Sequence, residues 1–304
     1  MNKRLLFINF ILFLSMTSCL NAPRNNKYDP ENPDKVRLKG YTYEANGLIL
    51  EGAIIRLLFD DEIIDTDTSD LEGSFEFDKI DPGIYKITAE AHHYSSLEIY
   101  PESLWAGMYI DNYDVFFSTL NFEEDREGTS LPYGFDTICG NWRVEKDTEL
   151  PELHSTPNVY NGSNNPNEWA ITQYHEPMTN FSLQVKVKVL NISQVDWRTG
   201  FVFRYQNENN HYRLYISSDT IAMAKVENSG EELLRISNHD FFTDTWYSLR
   251  VECDGNFMLI YLNDEPLFVI IDNAFADGCI GLYCGNQSGM VTSVNFDDVE
   301  IKLH

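Results

Sequence analysis

Between Phe181 and Val189 the chain alternates without a fault. Phe181, Leu183, Val185, Val187 and Val189 are apolar, and Ser182, Gln184, Lys186 and Lys188 between them are polar. A period of two belongs to a strand with one buried and one wetted face, because successive side chains point to opposite sides. The pattern recurs elsewhere. From Val36 to Phe117, short apolar stretches such as Ala53–Leu58, Gly73–Phe77 and Tyr85–Ala91 are broken by turns every eight to twelve positions. Asp81-Pro82-Gly83 is such a turn, with proline presetting φ and glycine free to take the left-handed region. Phe201–Tyr205 and His211–Ile216 flank the polar stretch Gln206–Asn210, and Trp246–Cys253 and Phe257–Leu262 flank Asp254-Gly255-Asn256. Both read as hairpins. No amphipathic helix of three turns interrupts them, so the chain is confined to all-β architectures.

Composition narrows the partners. The 304 residues are 43% hydrophobic, enough to build about two packed domains. Lys and Arg number 22 against 48 Asp and Glu, a formal net charge of −26. Nucleic-acid affinity is built on basic side chains neutralising phosphates, so a nucleic-acid partner is excluded. Anionic lipid surfaces also repel such a chain unless something covalent holds it there.

Lys3 and Arg4 precede the apolar run Leu5–Leu14, which would reach about 15 Å as a helix, half a bilayer's hydrocarbon core. That is the anatomy of a signal peptide. The following Ser15-Met16-Thr17-Ser18-Cys19 resembles the bacterial lipobox, with Met16 replacing the usual leucine. The resemblance implies cleavage after residue 18 and lipidation of Cys19. Leu20 after the cysteine implies an outer-membrane lipoprotein, periplasmic or surface-facing, in the bacterial cell envelope. Residues 19–34 are rich in Asn and Pro and read as the lipidated cysteine with a flexible tether. Four further cysteines, Cys139, Cys253, Cys279 and Cys284, lack the spacing of a zinc or redox site. Cys253 continues an alternating apolar series and reads as a core residue.

Two resemblances organise the rest. Gly40, Gly47, Glu51-Gly52-Ala53, Thr68–Phe75, Ile80–Tyr85 and Tyr94 resemble, in order, the landmarks of the carboxypeptidase regulatory-like domain. This implies a transthyretin-like Greek-key sandwich over 35–117. Leu120–Glu123, Gly140–Val144, Gly200–Tyr205, Asn210–Leu214, Thr245–Glu252, Gly278–Leu282 and Phe296–Ile301 resemble the concanavalin A-like lectin/glucanase superfamily, in its laminin G-like and 3-keto-disaccharide-hydrolase-like branches. This implies a jelly roll of two curved antiparallel sheets over 118–304, whose concave face holds saccharides in relatives. The expected fold is therefore all-β, a small sandwich followed by a larger one.

Catalytic signals are weak. Retaining glucanases of this fold place two carboxylates on one strand face, about 5–5.5 Å apart. Glu123-Glu124-Asp125-Arg126-Glu127 has the spacing, but a strand there would bury Glu124 and Arg126 on its other face. No nucleophile elbow, His-Glu-x-x-His motif or phosphate-binding glycine loop is present. Asp65, Asp67 and Asp70 are read as a solvated turn rather than a calcium cluster, and His92 and His93, pointing oppositely on a strand, as unable to share an ion.

The leading expectation is carbohydrate binding or adhesion. If Phe201, Phe203, Tyr212, Leu214 and Ile216 pack inward, then Arg204, His211, Arg213 and Tyr215 share the opposite face, with Trp197 and Arg198 leading into it. Planar rings cover the apolar C–H faces of sugars, and guanidinium groups donate to hydroxyls. Two readings of this face stay open: a sugar site, or arginines that pair with carboxylates of neighbouring strands. A glycan-processing enzyme working at the concave face is the competing class. The jelly-roll resemblance further implies one structural calcium, with Glu123 and Asp297 in the corresponding places.

Overall fold

The computed structural model describes residues 26–27, 29, 32–100, 103–147, 157–166, 168–174, 176–190, 196–286 and 288–304. The expected signal peptide (1–18), Cys19 and most of the tether lie outside the described residues. The described chain is all strand and turn, with no helix.

The N-terminal strands are β1 (Val36–Glu44), β2 (Ile54–Phe59), β3 (Glu62–Thr68), β4 (Ser74–Ile80), β5 (Lys86–Glu90), β6 (Leu97–Ile99), β7 (Tyr109–Ile110) and β8 (Val115–Phe117). They form two four-stranded sheets, one in the order β4-β1-β7 with β8 also paired to β1, the other β3-β2-β5-β6. Leu38, Ile55, Leu57, Phe77, Ile87 and Phe117 are fully buried between them. At the edge strand β3, the pairings Ile55↔Asp67 and Leu57↔Asp65 put two carboxylates on the core-facing side. Inward charges of this kind discourage edge-to-edge association. Asp67 Oδ2 also accepts from the Glu76 amide at 2.7 Å, and Asp70 Oδ1 accepts from the Glu72 and Ser74 amides at 3.0 and 2.8 Å.

Only Ser118 separates β8 from β9 (Thr119–Leu120), so the two sandwiches join without a linker. Across the junction, Asn121 donates to the His93 carbonyl at 3.0 Å and the His93 ring stacks on Tyr133 at 4.6 Å. Tyr133 in turn donates to Glu44 at 2.5 Å.

The larger sandwich continues with β10 (Phe135–Cys139), β11 (Asn141–Lys146), β12 (Asn158–Ser163), β13 (Trp169–Tyr174), β14 (Phe181–Val189), β15 (Trp197–Asn207) and β16 (Asn210–Ile216). After these come β17 (Thr220–Glu227), β18 (Gly230–Asn238), β19 (Tyr247–Asp254), β20 (Phe257–Leu262), β21 (Glu265–Ile271), β22 (Cys279–Asn286) and β23 (Ser293–Leu303). One sheet runs β10-β13-β22-β15-β16-β17-β18, the other β11-β12-β23-β14-β19-β20-β21 with β9 added on β23. First and last strands are thus adjacent, and late strands insert between early ones, as in a jelly roll.

The apolar half of the β14 alternation holds, with Phe181, Leu183, Val185 and Val187 fully buried against the other sheet. The expected wetted face is only partly wet, since Ser182 and Lys188 are also buried, Lys188 against Asp147. Phe201, Phe203, Tyr212, Leu214 and Ile216 are fully buried in the same core. Each such side chain contributes roughly 1.5–3 kcal/mol by leaving water. The four described cysteines are free thiols, and Cys253 is a core residue.

Candidate functional site

A second apolar cluster lies on the other side of the seven-stranded sheet, made by Ile171, Val202, Tyr205, Tyr215, Ala222, Ala224 and Tyr283, with Trp169 packed against it. This outer face is where the predicted binding residues were expected. His211, Arg213 and Tyr215 are on it, at alternate positions of β16. Neighbouring strands align Tyr283, Gly200, Tyr215 and Ala222 in one row, and Gly281, Val202, Arg213 and Ala224 in the next. Small residues leave room for the large ones. Trp169 lies over Gly285, where a Cβ would meet its ring at 1.9 Å.

Arg213 is the hub. Its guanidinium stands 4.2 Å from the Tyr283 ring centre and 5.3 Å from that of Trp169. It donates to Tyr283 Oη at 3.2 Å, to Glu231 Oε2 at 3.2 Å and to His211 Nε2 at 3.1 Å. His211 Nδ1 sits 3.1 Å from the Asn207 carbonyl, which only accepts, so Nδ1 carries the proton and Nε2 is the acceptor. Burial, reinforced by the Arg213 charge, pushes the imidazole down to about 4 and keeps it neutral. Arg198, half-buried on β15, stacks 4.5 Å over the Tyr215 ring and donates to Glu231 Oε1 at 3.0 Å. The arginines therefore do pair with a neighbouring carboxylate, one of the two readings left open by the sequence.

The lattice opens at one end. A cavity of about 320 Å³ is lined by Arg198, Tyr215, Ser217, Asp219, Leu233 and Ile236, among others. Leu233 and Ile236, from the edge strand β18, stand roughly half exposed beside Ala222 and Ala224. The opening thus offers an aliphatic floor, a guanidinium backed by the buried Tyr215 ring and several oxygen acceptors, a chemistry that suits a sugar ring.

Two of the predicted residues are placed differently. The expectation that Arg204 shares this face is corrected. The register of β15 shifts between Val202 and Tyr205, a bulge at which Arg204 takes φ 45°. The extra residue reverses the parity, so Tyr205 takes the outer face and Arg204 turns inward. Gly278 lies so close to the bulge that a Cβ there would meet the Arg204 carbonyl carbon at 2.5 Å. Arg204, 1% exposed, donates to the carbonyls of Phe275, Thr179 and Gly255 at 2.9, 3.2 and 2.6 Å, spanning the gap between the sheets. Trp197 likewise belongs to the core between the sheets and only borders the cavity.

Residues missed from the sequence are Trp169, Tyr283, Glu231, Leu233 and Ile236. The large–small alternation of Ile221-Ala222-Met223-Ala224 and the glycines of β22 are the signals that mark this face.

The acidic stretch 123–127 lies in turns, not on a strand, so its carboxylates do not form a shared catalytic face. Glu123 and Asp297 are nevertheless neighbours. Burial, then the negative charges of Asp298 and Glu123, push the Asp297 carboxyl up to about 7. Asn158 ties the 122–125 turn down through its amide, which donates to the carbonyls of Phe122, Glu123 and Asp125 at 3.0, 3.0 and 3.1 Å, while its Oδ1 is buried without a partner. Crowded carboxylates and an orphaned amide oxygen are hard donors that suit a calcium ion. Among the described residues, no cluster of three or more His, Cys, Asp or Glu is arranged to hold a metal.

No protein-family model and no curated protein sequence matches the chain. Several solved structures resemble it distantly. The carbohydrate binding module CBM66 from Bacillus subtilis is 17% identical, with 56% of this chain and 95% of that one aligned and a TM-score of 0.46. A cellulose-induced protein is 16% identical, over 60% of this chain and 95% of that one, with a TM-score of 0.45. An alginate lyase of polysaccharide lyase family 7 is 8% identical, over 54% and 95%, with a TM-score of 0.39.

Proposed function

We propose that this protein is a non-catalytic carbohydrate-binding or adhesion lipoprotein of the bacterial envelope, reading glycans on the outer face of its seven-stranded sheet. The observation that carries this reading is the cavity at which Arg198 and Tyr215, the end of the lattice that Arg213, Tyr283 and Trp169 continue beneath, meet the half-exposed Leu233 and Ile236. The half-exposed Leu233 and Ile236 take the apolar face of a sugar, Arg198 with the cavity's hydroxyl and carboxylate oxygens takes its hydroxyls, and the buried Tyr215 ring backs the guanidinium. In the same proposal Cys19 anchors the chain to the outer membrane, the transthyretin-like N-terminal sandwich serves as a spacer, and Glu123 and Asp297 hold a structural calcium. The neighbouring carbohydrate binding module is in keeping with this, whereas a lyase shares the fold, so the choice rests on the site.

The test is a glycan array run beside a chromogenic glycoside panel on the purified chain. Retention without product release is expected, and retention is lost in the Arg198→Ala/Tyr215→Ala variant. Release of product places the chain among the glycan-processing enzymes instead. Neither retention nor release leaves a structural envelope module.

A further inference from the structure

Glu231 reaches the outer face from the edge strand β18, where it is paired with Val226. The small side chains of Ala222 and Ala224 on β17 leave its path across the sheet clear. Its two oxygens go to different guanidinium groups, Oε1 to Arg198 at 3.0 Å and Oε2 to Arg213 at 3.2 Å. A carboxylate bridging two arginines beside aromatic rings is the arrangement in which a uronic-acid sugar would be held. Here the protein supplies that carboxylate itself.

We infer that Glu231 is the specificity-determining residue of the sugar site, occupying the anion position so that the site accepts uncharged sugars and excludes acidic glycans. This rests on the sugar-binding reading above. The surrounding charge acts in the same direction. The charged groups lining the cavity are Asp196 and Asp219 against Arg198, whose partner Glu231 is itself partly exposed, on a chain of net charge −26. An acidic glycan meets an excess of like charge and finds both guanidinium groups already engaged. A neutral sugar meets neither obstacle, because hydroxyls accept from Arg198 and donate to the outward lone pairs of Asp219 and Glu231.

Titration calorimetry of the full chain with tri-galacturonate, beside the glycan array, tests this. Wild type is expected to show no measurable binding. Glu231→Gln removes the competing charge and binds measurably, about tenfold or more tighter than the upper limit set for wild type, an effect of the size of one charge-assisted hydrogen bond. Adding Arg198→Ala removes the gain. Glu231→Ala serves as a second variant, and a melting curve identifies whichever one folds. Uronate binding by wild type, or no gain in a folded variant, overturns the inference. If wild type retains neutral glycans while folded variants gain nothing, the role of Glu231 falls and the sugar site stands. If the variants capture tri-galacturonate although wild type retains no glycan, Glu231 stands as the excluding group and the sugar-binding reading falls. Should neither Glu231 variant fold, the carboxylate is a structural brace and the inference is equally overturned.

Discussion

The two sheets of the jelly roll are built on different rules. In the eight-stranded sheet β19 alternates strictly between buried and partly exposed positions, as a strand wetted on one side must, although β12 and the ends of β14 are buried on both faces. In the seven-stranded sheet every residue of β22 is buried, and β15 and β16 are nearly so. One face of that sheet makes the core, and the other carries a self-supporting layer of rings, guanidinium groups and one carboxylate. A sheet covered on both sides by its own chain has been given a second, polar interior. That interior, opening at one end, is where the account places function.

The largest effect separates an arginine on each sheet. Arg204→Ala should cost about 3–5 kcal/mol in urea unfolding, because the buried Phe275 carbonyl and two partly buried carbonyls lose their donor and a cavity remains. Arg250, on the wetted side of β19 and 3.6 Å over the Tyr261 ring, should cost under about 1 kcal/mol when replaced by Ala. Equal costs would show that Arg204 does not tie the sheets together.

Next is pH, where the sheets oppose each other. His211 is held at about 4, below its ordinary 6.5, so the unfolded chain binds the proton first and stability falls as pH drops from 6.5 to 4. The loss is roughly 3 kcal/mol, and His211→Gln should remove it. Asp297, on the other sheet, is raised from 3.8 to about 7. Its folded form holds the proton more tightly, so its contribution falls as pH rises through that window, by a similar amount. Unfolding titrations of His211→Gln and Asp297→Asn should therefore bend in opposite directions. A common direction contradicts one of the two environments.

A smaller effect is expected from metal. If Glu123 and Asp297 hold calcium, chelation at pH 8 should lower stability by about 2–3 kcal/mol, the linkage value near a hundredfold excess over Kd. Asp297→Asn should abolish the difference. A melting temperature indifferent to chelator in wild type removes the calcium proposal.

The amino-acid sequence records one kind of feature and hides another along the same division. The alternation of Phe181–Val189 and the turn at Gln206–Asn210 identified strands and a hairpin directly, because a period of two records which face is wet. His211, Arg213 and Tyr215 were placed on one face by counting from their buried neighbours. Arg204 defeated the same count, since a bulge inserts a residue and reverses parity without leaving a mark in the sequence. Glu231 was invisible for another reason. Its partners are on β15 and β16, at least 18 positions away, and only the sheet order brings them together.

The central claim is that the outer face of the seven-stranded sheet takes sugar while the wetted face of its companion does not. Amide hydrogen exchange, with and without a mixture of neutral glucan, xylan and mannan oligosaccharides, tests this directly. Sugar bound on that outer face slows exchange in Ser217–Thr220 and Gly230–Asn238 and leaves Glu265–Ile271 unchanged. Slowing confined to Glu265–Ile271, or no change in either region, would contradict it.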